Sequence, residues 1–437
     1  MKPVSRGIDR VQVTFDEGNL VANAGLLLVA TVVRKLGLEA LVNTAVRIPS
    51  KRGGFQPGRK VLTLVHAMVA GASHIEHADV LRAGATDQVL PHRVMAPSTL
   101  GTFLRGFTFG HLRQLDMVLA EALRRAWALM ELPERLVVDL DSTICEVTGK
   151  LKVGAAYGYT KVLGLHPLLA TRCDTGEVLH ARMRKGSANT QRGAKRFIEE
   201  LVARLRRAGA TGQIILRMDS GFWSKETMAT MRRLGVSFTM AVRTGNTAIS
   251  RAISAIAEDG WVGIDYTCDG EAQVAETTYK GQRLVVRRTR LTGAQATLWP
   301  DWRHFAFLTD LRGSAVELDA FHRQHAVVEL DIRDLKEGAG MEHCPSGNFW
   351  ANGAWLACAV LAHNLIRWTQ ILGGLDDIEA EQRPAVARTI RTRFISMPGR
   401  LVNRSGTPVL RAPTRWPWRL SFASALDNLR ALSLAPS

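Results

Sequence analysis

Two aspartates stand at the ends of apolar runs that predict buried strands. Asp141 closes the run Leu136–Asp141, and Asp219 closes the run Ile214–Asp219. A carboxylate in such a position is costly to bury unless it is paired or bound to a cation. Two strand-end aspartates and one helical glutamate could together bind two hard divalent ions, Mg²⁺ or Mn²⁺ in its place, which prefer oxygen ligands. A two-metal site of this kind carries out in-line phosphoryl transfer.

Glu329 is the candidate for the helical carboxylate. It lies seven residues before Lys336, a spacing of two helical turns that places both side chains on one helix face. Glu329 would complete the metal site, while Lys336 would bind a phosphate oxygen. Asp139 is an alternative to Asp141, because residues two apart share a strand face. The alternatives on the helix are Asp331, Asp334 and Glu337.

The charge balance favours a polyanionic partner. The 437 residues include 57 Lys and Arg against 40 Asp and Glu, a formal net charge of +17, and for such a protein nucleic acid is the usual polyanion. A generically basic protein is the alternative. The basic residues expected to contact phosphates at the sheet edge are Arg182, Arg184, Lys185, Arg192, Lys195 and Arg196.

Two further features of the sequence favour a DNA-binding function. Residues 383–419 carry nine arginines and no acid, interleaved with Trp416 and Trp418. Phosphate contacts of this kind make binding depend on salt rather than on sequence. Trp223, just past Asp219, could stack on a displaced base, or could simply pack in the interior.

Several classes of protein are disfavoured. No apolar run approaches the ~18 residues of a membrane span, and the first ten residues run straight into charge without the apolar core of a signal peptide. The five cysteines are scattered and never form a C-x-x-C pair, so a disulfide framework or zinc cluster is not expected. We expect a cytoplasmic protein associated with the nucleoid.

The order of predicted elements indicates an α/β fold with an RNase H-like core. A strand, a hairpin, a helix, a strand, a helix and a strand follow one another from residue 135. They are predicted at 136–141, 163–171 with 178–183, 190–208, 214–219, 224–234 and 236–242.

Five regions are predicted along the chain. Residues 1–130 form a mostly helical N-terminal domain after a short strand at 11–15, and are either a DNA-end-binding module or a structural cap. Residues 131–244 and 304–372 form the two parts of the core, the second with a helix over 318–336 and an apolar helix over 356–372. Residues 245–303 form a β-rich insertion with strands at 264–268, 272–279 and 283–290, and residues 373–437 form an Arg-rich C-terminal region.

These motifs resemble those of the DDE transposases of insertion sequences, the bacterial cut-and-paste class with a β-rich insertion before the catalytic glutamate. The matching segments are 141–143 (Asp-Ser-Thr), 217–222 (Arg-Met-Asp-Ser-Gly-Phe), 329–336 and 352–365, which resembles the family's helix after the glutamate. The interval from Asp219 to Glu329 leaves room for the insertion. The resemblance covers residues 135–370 well.

The resemblance implies a function, although the chain departs from the class at two positions. It implies nicking at the terminal inverted repeats of a mobile element, strand transfer of the freed 3′-OH into target DNA, and a homodimer that pairs two ends in a synaptic complex. The class commonly has Tyr and Arg seven and four residues before the glutamate, where this chain has His322 and His325. Arg323 or a charged His325 could still bind phosphate, and a hairpin intermediate is left open.

Three other functions are alternatives to an active transposase. A decayed transposase would bind ends without cutting, but all three carboxylates are present. Another RNase H-fold nuclease would have the same metal site and would differ only in lacking strand transfer. A structural nucleoid protein is disfavoured, because it has no use for buried strand-end carboxylates.

Overall fold

The computed structural model describes residues 11–50, 53–149, 151–158, 161–266, 270–291, 301–375 and 383–433. The helices are α1 (Leu26–Lys35), α2 (Leu38–Ala45), α3 (Pro57–Val69), α4 (Pro97–Arg105), α5 (Phe109–Trp127), α6 (Ala194–Arg207), α7 (Lys225–Leu234), α8 (Thr247–Ser254), α9 (Ala315–Arg323), α10 (Val327–Ala339), α11 (Phe349–Gly373), α12 (Ala387–Ile390) and α13 (Arg419–Ala431). The strands are β1 (Leu20–Val21), β2 (Arg135–Ser142), β3 (Cys145–Glu146), β4 (Ala156–Tyr157), β5 (Leu163–Leu165), β6 (Leu168–Arg172), β7 (Val178–Arg182), β8 (Gln213–Met218), β9 (Ser237–Val242), β10 (Val262–Gly263), β11 (Gly270–Tyr279), β12 (Gln282–Leu291), β13 (Arg303–Thr309), β14 (Gly399–Arg404) and β15 (Thr407–Arg411).

A nine-stranded sheet in the order β10-β11-β12-β13-β9-β8-β2-β6-β7 forms the centre of the protein. Within it, β7, β6 and β2 are antiparallel neighbours, and β2, β8 and β9 are parallel neighbours. The helices α6 and α7 connect the parallel strands, as parallel pairs require a crossover. This is the strand order of an RNase H-like core, so the predicted fold class is confirmed.

The predicted β-rich insertion extends the central sheet. Its two long strands, β11 and β12, form a hairpin, and β12 pairs with β13, which in turn pairs antiparallel with β9. The hydrogen-bonded ladder therefore passes from the insertion to the core without a break. The strand predicted at 264–268 was wrong in position: the structure has β10 at Val262–Gly263, and residues 267–269 lie outside the described ones.

Helix α11 is the centre of the helical layer. Its length and composition alone would allow it to cross a membrane, but 89% of its most apolar 18-residue stretch is buried inside the protein. Helices α1, α3, α4, α5 and α13 pack around it, and their apolar side chains belong to one core together with the sheet. An apolar helix surrounded by other helices is the core helix of a folded protein, and it joins the first 130 residues to the central sheet.

Residues from the two ends of the chain form a second, three-stranded sheet. β1 pairs with β14, and β14 pairs with β15, although some 380 residues separate the first two strands. The predicted strand at 11–15 was wrong, because those residues form no ladder. The amide of Ala24 donates to the carbonyl of Met397 at 2.8 Å, and a Cβ on Gly25 would lie 1.7 Å from the carbonyl oxygen of Phe394. Only glycine permits this close approach of the two backbones.

Candidate active site

Asp141 and Asp219 lie side by side at the carboxyl ends of two adjacent inner strands of the central sheet, β2 and β8. The parallel register pairs Leu140 of β2 with Met218 of β8, so the next residue of each chain segment is the aspartate. One oxygen of each carboxylate accepts a backbone N–H. Oδ1 of Asp141 accepts from Ser142 at 2.6 Å, and Oδ1 of Asp219 accepts from Gly221 at 3.0 Å. These bonds hold the two carboxylates at the strand ends and leave their other oxygens for further ligands.

Glu329 lies in the first turn of α10 and is exposed. The sequence predicts one helix over 318–336, but the structure has two, since a 3₁₀ turn at Gln324–Ala326 separates α9 from α10. Glu329 therefore stands at the start of its own helix. The spacing to Lys336 is retained, because both residues belong to α10.

The charges of Asp219 and Glu329 act on Asp141. Burial, with smaller contributions from the charges of Asp219 and Glu329, raises the pKa of Asp141 to about 6, against the opposing effects of the Ser142 amide and His325. Burial also raises the pKa of Asp219, opposed by the Gly221 amide and by His325. Two adjacent aspartates with raised pKa values are groups whose charged forms a cation would stabilise.

No three His, Cys, Asp or Glu side chains of the described residues stand close enough to hold a metal ion together. Asp141, Asp219 and Glu329 are all oxygen donors, which suit Mg²⁺ or Mn²⁺, and their mutual repulsion is relieved by positive charge. By chemistry the donor set fits a hard divalent ion, and the side chains would have to approach one another to bind it.

Asp139, the alternative to Asp141, is engaged elsewhere. It is fully buried and forms a two-pronged ion pair with Arg217, at 2.8 Å and 2.7 Å. His325 Nδ1 lies 2.7 Å from the same carboxylate. Both oxygens of Asp139 are thus occupied, which leaves Asp141 as the better candidate ligand. Sequence reasoning missed the pairing, although Asp139 and Arg217 each stand two residues before a strand-end aspartate and are in register.

Comparison with known families identifies the family of the whole chain. A model of the family described as transposase DDE domain group 1 matches residues 5–434. The chain belongs to this family of DDE transposases. The resemblance inferred from the sequence motifs is therefore confirmed, and family members generally use divalent metal ions.

Solved structures give distant likenesses. A cryo-EM structure of the piggyBac transposase synaptic complex with hairpin DNA is 11% identical, with a TM-score of 0.46 over 86% of this chain and 80% of that one. A crystal structure of Aa-Ago with externally bound siRNA is 10% identical, with a TM-score of 0.24 over 60% of this chain and 33% of the other. Comparison with curated proteins gives no match.

The residues in the Tyr and Arg positions of the transposase class have different surroundings. His322 is largely buried, stacks on Phe307 at 4.2 Å between ring centroids, and has its pKa lowered to about 3 by burial, so it is neutral at physiological pH. His325 lies beside the carboxylates, where its charge lowers the pKa values of Asp141 and Asp219. Of the two, only His325 is placed to act at the site.

Arg323 is bound to protein groups on another side of α9. Its Nε donates to Asp319 at 2.9 Å, and its guanidinium lies 5.0 Å from the centre of the Tyr266 ring. Asp319 also accepts from Arg287 at 3.0 Å. Arg323 would have to leave these partners to reach a phosphate, so His325 is the better candidate.

Arg184 does not lie on a surface that DNA could contact, contrary to the sequence-based expectation. It is buried, and burial lowers its pKa to about 10. Its guanidinium donates to the carbonyls of His166, Asn189, Thr190 and Arg192. Arg184 thus anchors the 189–192 loop, whose Thr190 hydroxyl lies 3.3 Å from the Ser142 hydroxyl at the site.

The other predicted DNA-binding residues have the following surroundings. Lys336 Nζ donates to the Ile144 carbonyl at 2.8 Å, just past the end of β2. Arg182 pairs with Glu200, whereas Lys185 is exposed. Trp223 packs partly against the core, with its ring 6.4 Å from that of Tyr279.

Two residues near Asp219 were missed from the sequence. The positive charge of Arg243 lowers the pKa of Asp219, and the charge of Asp219 raises the pKa of His166, although burial lowers that pKa overall. Arg243 follows β9, the next parallel strand after β8. The rule that identified Asp141 and Asp219, a polar residue at the carboxyl end of a buried strand, would have identified Arg243 as well.

Proposed function

We propose that this transposase cuts DNA at the ends of an insertion sequence and joins the freed 3′-OH to target DNA by in-line phosphoryl transfer. One observation carries the proposal. Asp141 and Asp219 end adjacent parallel strands of an RNase H-like sheet, and the charge of Glu329 acts on the first of them. Half-buried aspartates at adjacent strand ends, with the charge of a third carboxylate acting on one of them, contribute nothing to a protein that only binds DNA.

Asp141, Asp219 and Glu329 would hold Mg²⁺, or Mn²⁺ in its place, as two ions. When bound, such ions generate the attacking oxygen nucleophile and stabilise the leaving oxygen. The chain itself orients the ligands: the amides of Ser142 and Gly221 fix one oxygen of each aspartate. The positive side chain of Lys336 lies two helical turns from Glu329, where it can contact the phosphate next to the cleaved one.

The partners follow from the reaction. The enzyme would bind the terminal inverted repeats and target DNA, and two copies would hold the two ends in a synaptic complex. DNA as the proposed substrate supports action in the cytoplasm, at the nucleoid. The helices within residues 1–130 remain candidates for reading the ends.

A cleavage assay with matched variants tests the proposal. The substrate is a labelled duplex of the sequences that flank the gene, incubated with Mg²⁺ or Mn²⁺. We expect wild type to cut, Glu329→Gln to lose cutting while it still binds, and Glu337→Gln to cut normally. Glu337 is the control because it is exposed on the same helix as Glu329.

The products decide among the alternatives. Transfer of the labelled 3′ end to a target plasmid separates a transposase from a nuclease that only cuts. If wild type binds the ends but cuts in neither metal, the end-binding protein becomes the better interpretation. If Glu329→Gln cuts at the wild-type rate, Glu329 is not a catalytic residue.

A further inference from the structure

The C-terminal hairpin is a two-stranded ribbon with one apolar and one basic face. β14 and β15 are joined at Ser405 and Gly406, both with positive φ, as a tight hairpin turn requires. Leu401 and Leu410 are paired across the strands and pack against the small apolar core under β1. Because side chains alternate across a strand, the neighbouring pairs lie on the opposite, outer face. These outer pairs are Arg400 with Arg411, Val402 with Val409, and Arg404 with Thr407.

The outer face concentrates positive charge that the protein does not neutralise. Arg400 stands directly opposite Arg411, an arrangement of like charges that destabilises a sheet. Glu17 pairs with Arg400 at 3.0 Å, but no carboxylate of the described residues pairs with Arg404 or Arg411. No acid occurs anywhere in residues 383–419. The free protein gains nothing from this arrangement, whereas a polyanion would be strongly attracted to it.

The base of the ribbon is fixed to the catalytic part of the protein. The indole of Trp416 donates to the Arg393 carbonyl at 2.9 Å, and Trp418 packs on the main core. Arg391 is half-buried, and its guanidinium donates to the carbonyl of Val69 at 2.9 Å and to that of Gly338 at the end of α10. The ribbon is thus held in a set position relative to the helix that bears Glu329.

We propose that the outer face of the β14–β15 ribbon lies in the major groove of the DNA at the element's end and contributes to its recognition. This inference rests on the proposed function. The major groove of B-DNA, about 12 Å wide, admits a two-stranded ribbon. Arg404 and Arg411 then reach guanine edges, where a guanidinium bonds O6 and N7 together. Arg415 and Arg419, exposed just beyond the ribbon, contact phosphates.

Binding by the full chain in EDTA tests the ribbon without any contribution from catalysis. The probes are the duplex of the sequences that flank the gene and an unrelated duplex of equal length. Arg404→Gln with Arg411→Gln is expected to weaken binding to the end duplex roughly tenfold or more and to abolish protection of guanine N7 from dimethyl sulfate. The control, Arg207→Gln with Arg251→Gln, removes the same charge from exposed sites on α6 and α8 and is expected to do neither.

A lysine pair separates groove recognition from simple charge. Arg404→Lys with Arg411→Lys keeps both charges but loses the planar fork, so binding to unrelated DNA should persist while the preference for the end duplex is lost. Retained preference in this variant, or equal weakening in the Gln pair and its control, would overturn the proposal. An unchanged melting temperature shows that the variants are folded. The proposed function is tested separately: if it is wrong, the wild-type protein does not cut the end duplex in Mg²⁺, whatever the binding assay shows.

Discussion

Replacing Asp141 with asparagine is expected to make the metal-free transposase more stable at neutral pH. The carboxylate is half-buried, its charge interacts with those of Asp219 and Glu329, and its pKa in the folded protein is raised from 3.8 to about 6. Asparagine has the same shape, can accept the Ser142 amide, and carries no charge. The substitution therefore removes an unfavourable ionisation without opening a cavity.

The sign and size of the effect follow from the two pKa values. A carboxyl group whose pKa is raised on folding costs nothing below pH 3.8, because it is protonated in both states. The cost grows as the pH rises from 3.8 to about 6 and is complete above that value. At 1.36 kcal/mol for each pH unit, the full cost is about 3 kcal/mol, and Asp141→Asn should recover a large part of it.

Urea unfolding in EDTA at several pH values measures this difference. We expect the stability advantage of Asp141→Asn to be largest at pH 7.5 and to shrink steadily toward pH 4. Glu337→Gln, exposed on α10, should be within ~0.5 kcal/mol of wild type throughout. Mg²⁺ should stabilise wild type more than Asp141→Asn, since it binds the folded carboxylates. This reasoning would be refuted if Asp141→Asn were no more stable than wild type at pH 7.5. It would also be refuted if the difference in unfolding free energy between the two proteins did not change with pH.

Three other outcomes are expected. Arg217→Met should lower the free energy of unfolding by about 3–5 kcal/mol, because it removes the two-pronged ion pair of Asp139 and leaves His325 as the remaining partner of this buried charge; a loss under 1 kcal/mol in chemical denaturation would contradict the buried ion pair. Gly25→Ala should lower the melting temperature strongly, since its Cβ would overlap the Phe394 carbonyl, whereas Gly245→Ala, with no atom within 4 Å, should not; similar melting curves for the two would be inconsistent with the close backbone contact. Raising salt from about 50 to about 200 mM should weaken DNA binding on the order of 10³-fold if six or more phosphates are neutralised, and a flat salt profile in a filter-binding titration would count against the basic surfaces.

The core of the fold was predictable because its signals are local. Continuous apolar runs gave β2 and β8, and helical periodicity gave α6 and α7, so the RNase H-like order followed from the sequence. The pairing of β13 with β9 joins the insertion to the core sheet. No local pattern specifies which edge a hairpin will extend, and the insertion was therefore expected as a separate region.

The positions of the two aspartates were predictable to the same degree, whereas the catalytic role of the site stays a prediction. Asp141 and Asp219 were identified from their positions at strand ends, and that rule depends only on sequence order. The break between α9 and α10 and the roles of Arg184 and Arg323 depend on which neighbours surround each side chain. An arginine that donates to buried carbonyls and one that faces solvent look identical in a sequence.

The pairing of β1 with β14 has a consequence for synthesis of the chain. A ribosome adds roughly 5–20 residues each second, so β1 waits on the order of 20–80 s between its own translation and that of its partner strand. During that interval Gly25 has no Phe394 to pack against, and Arg391 has not yet joined α3 to the end of α10. A nascent chain already contains Asp141, Asp219 and Glu329 while the brace that holds the glutamate's helix is still missing. Completion of the last strands on the ribosome thus sets the earliest moment at which this transposase is fully folded, and a message cut short yields a protein that contains all three carboxylates but lacks the brace formed by Arg391.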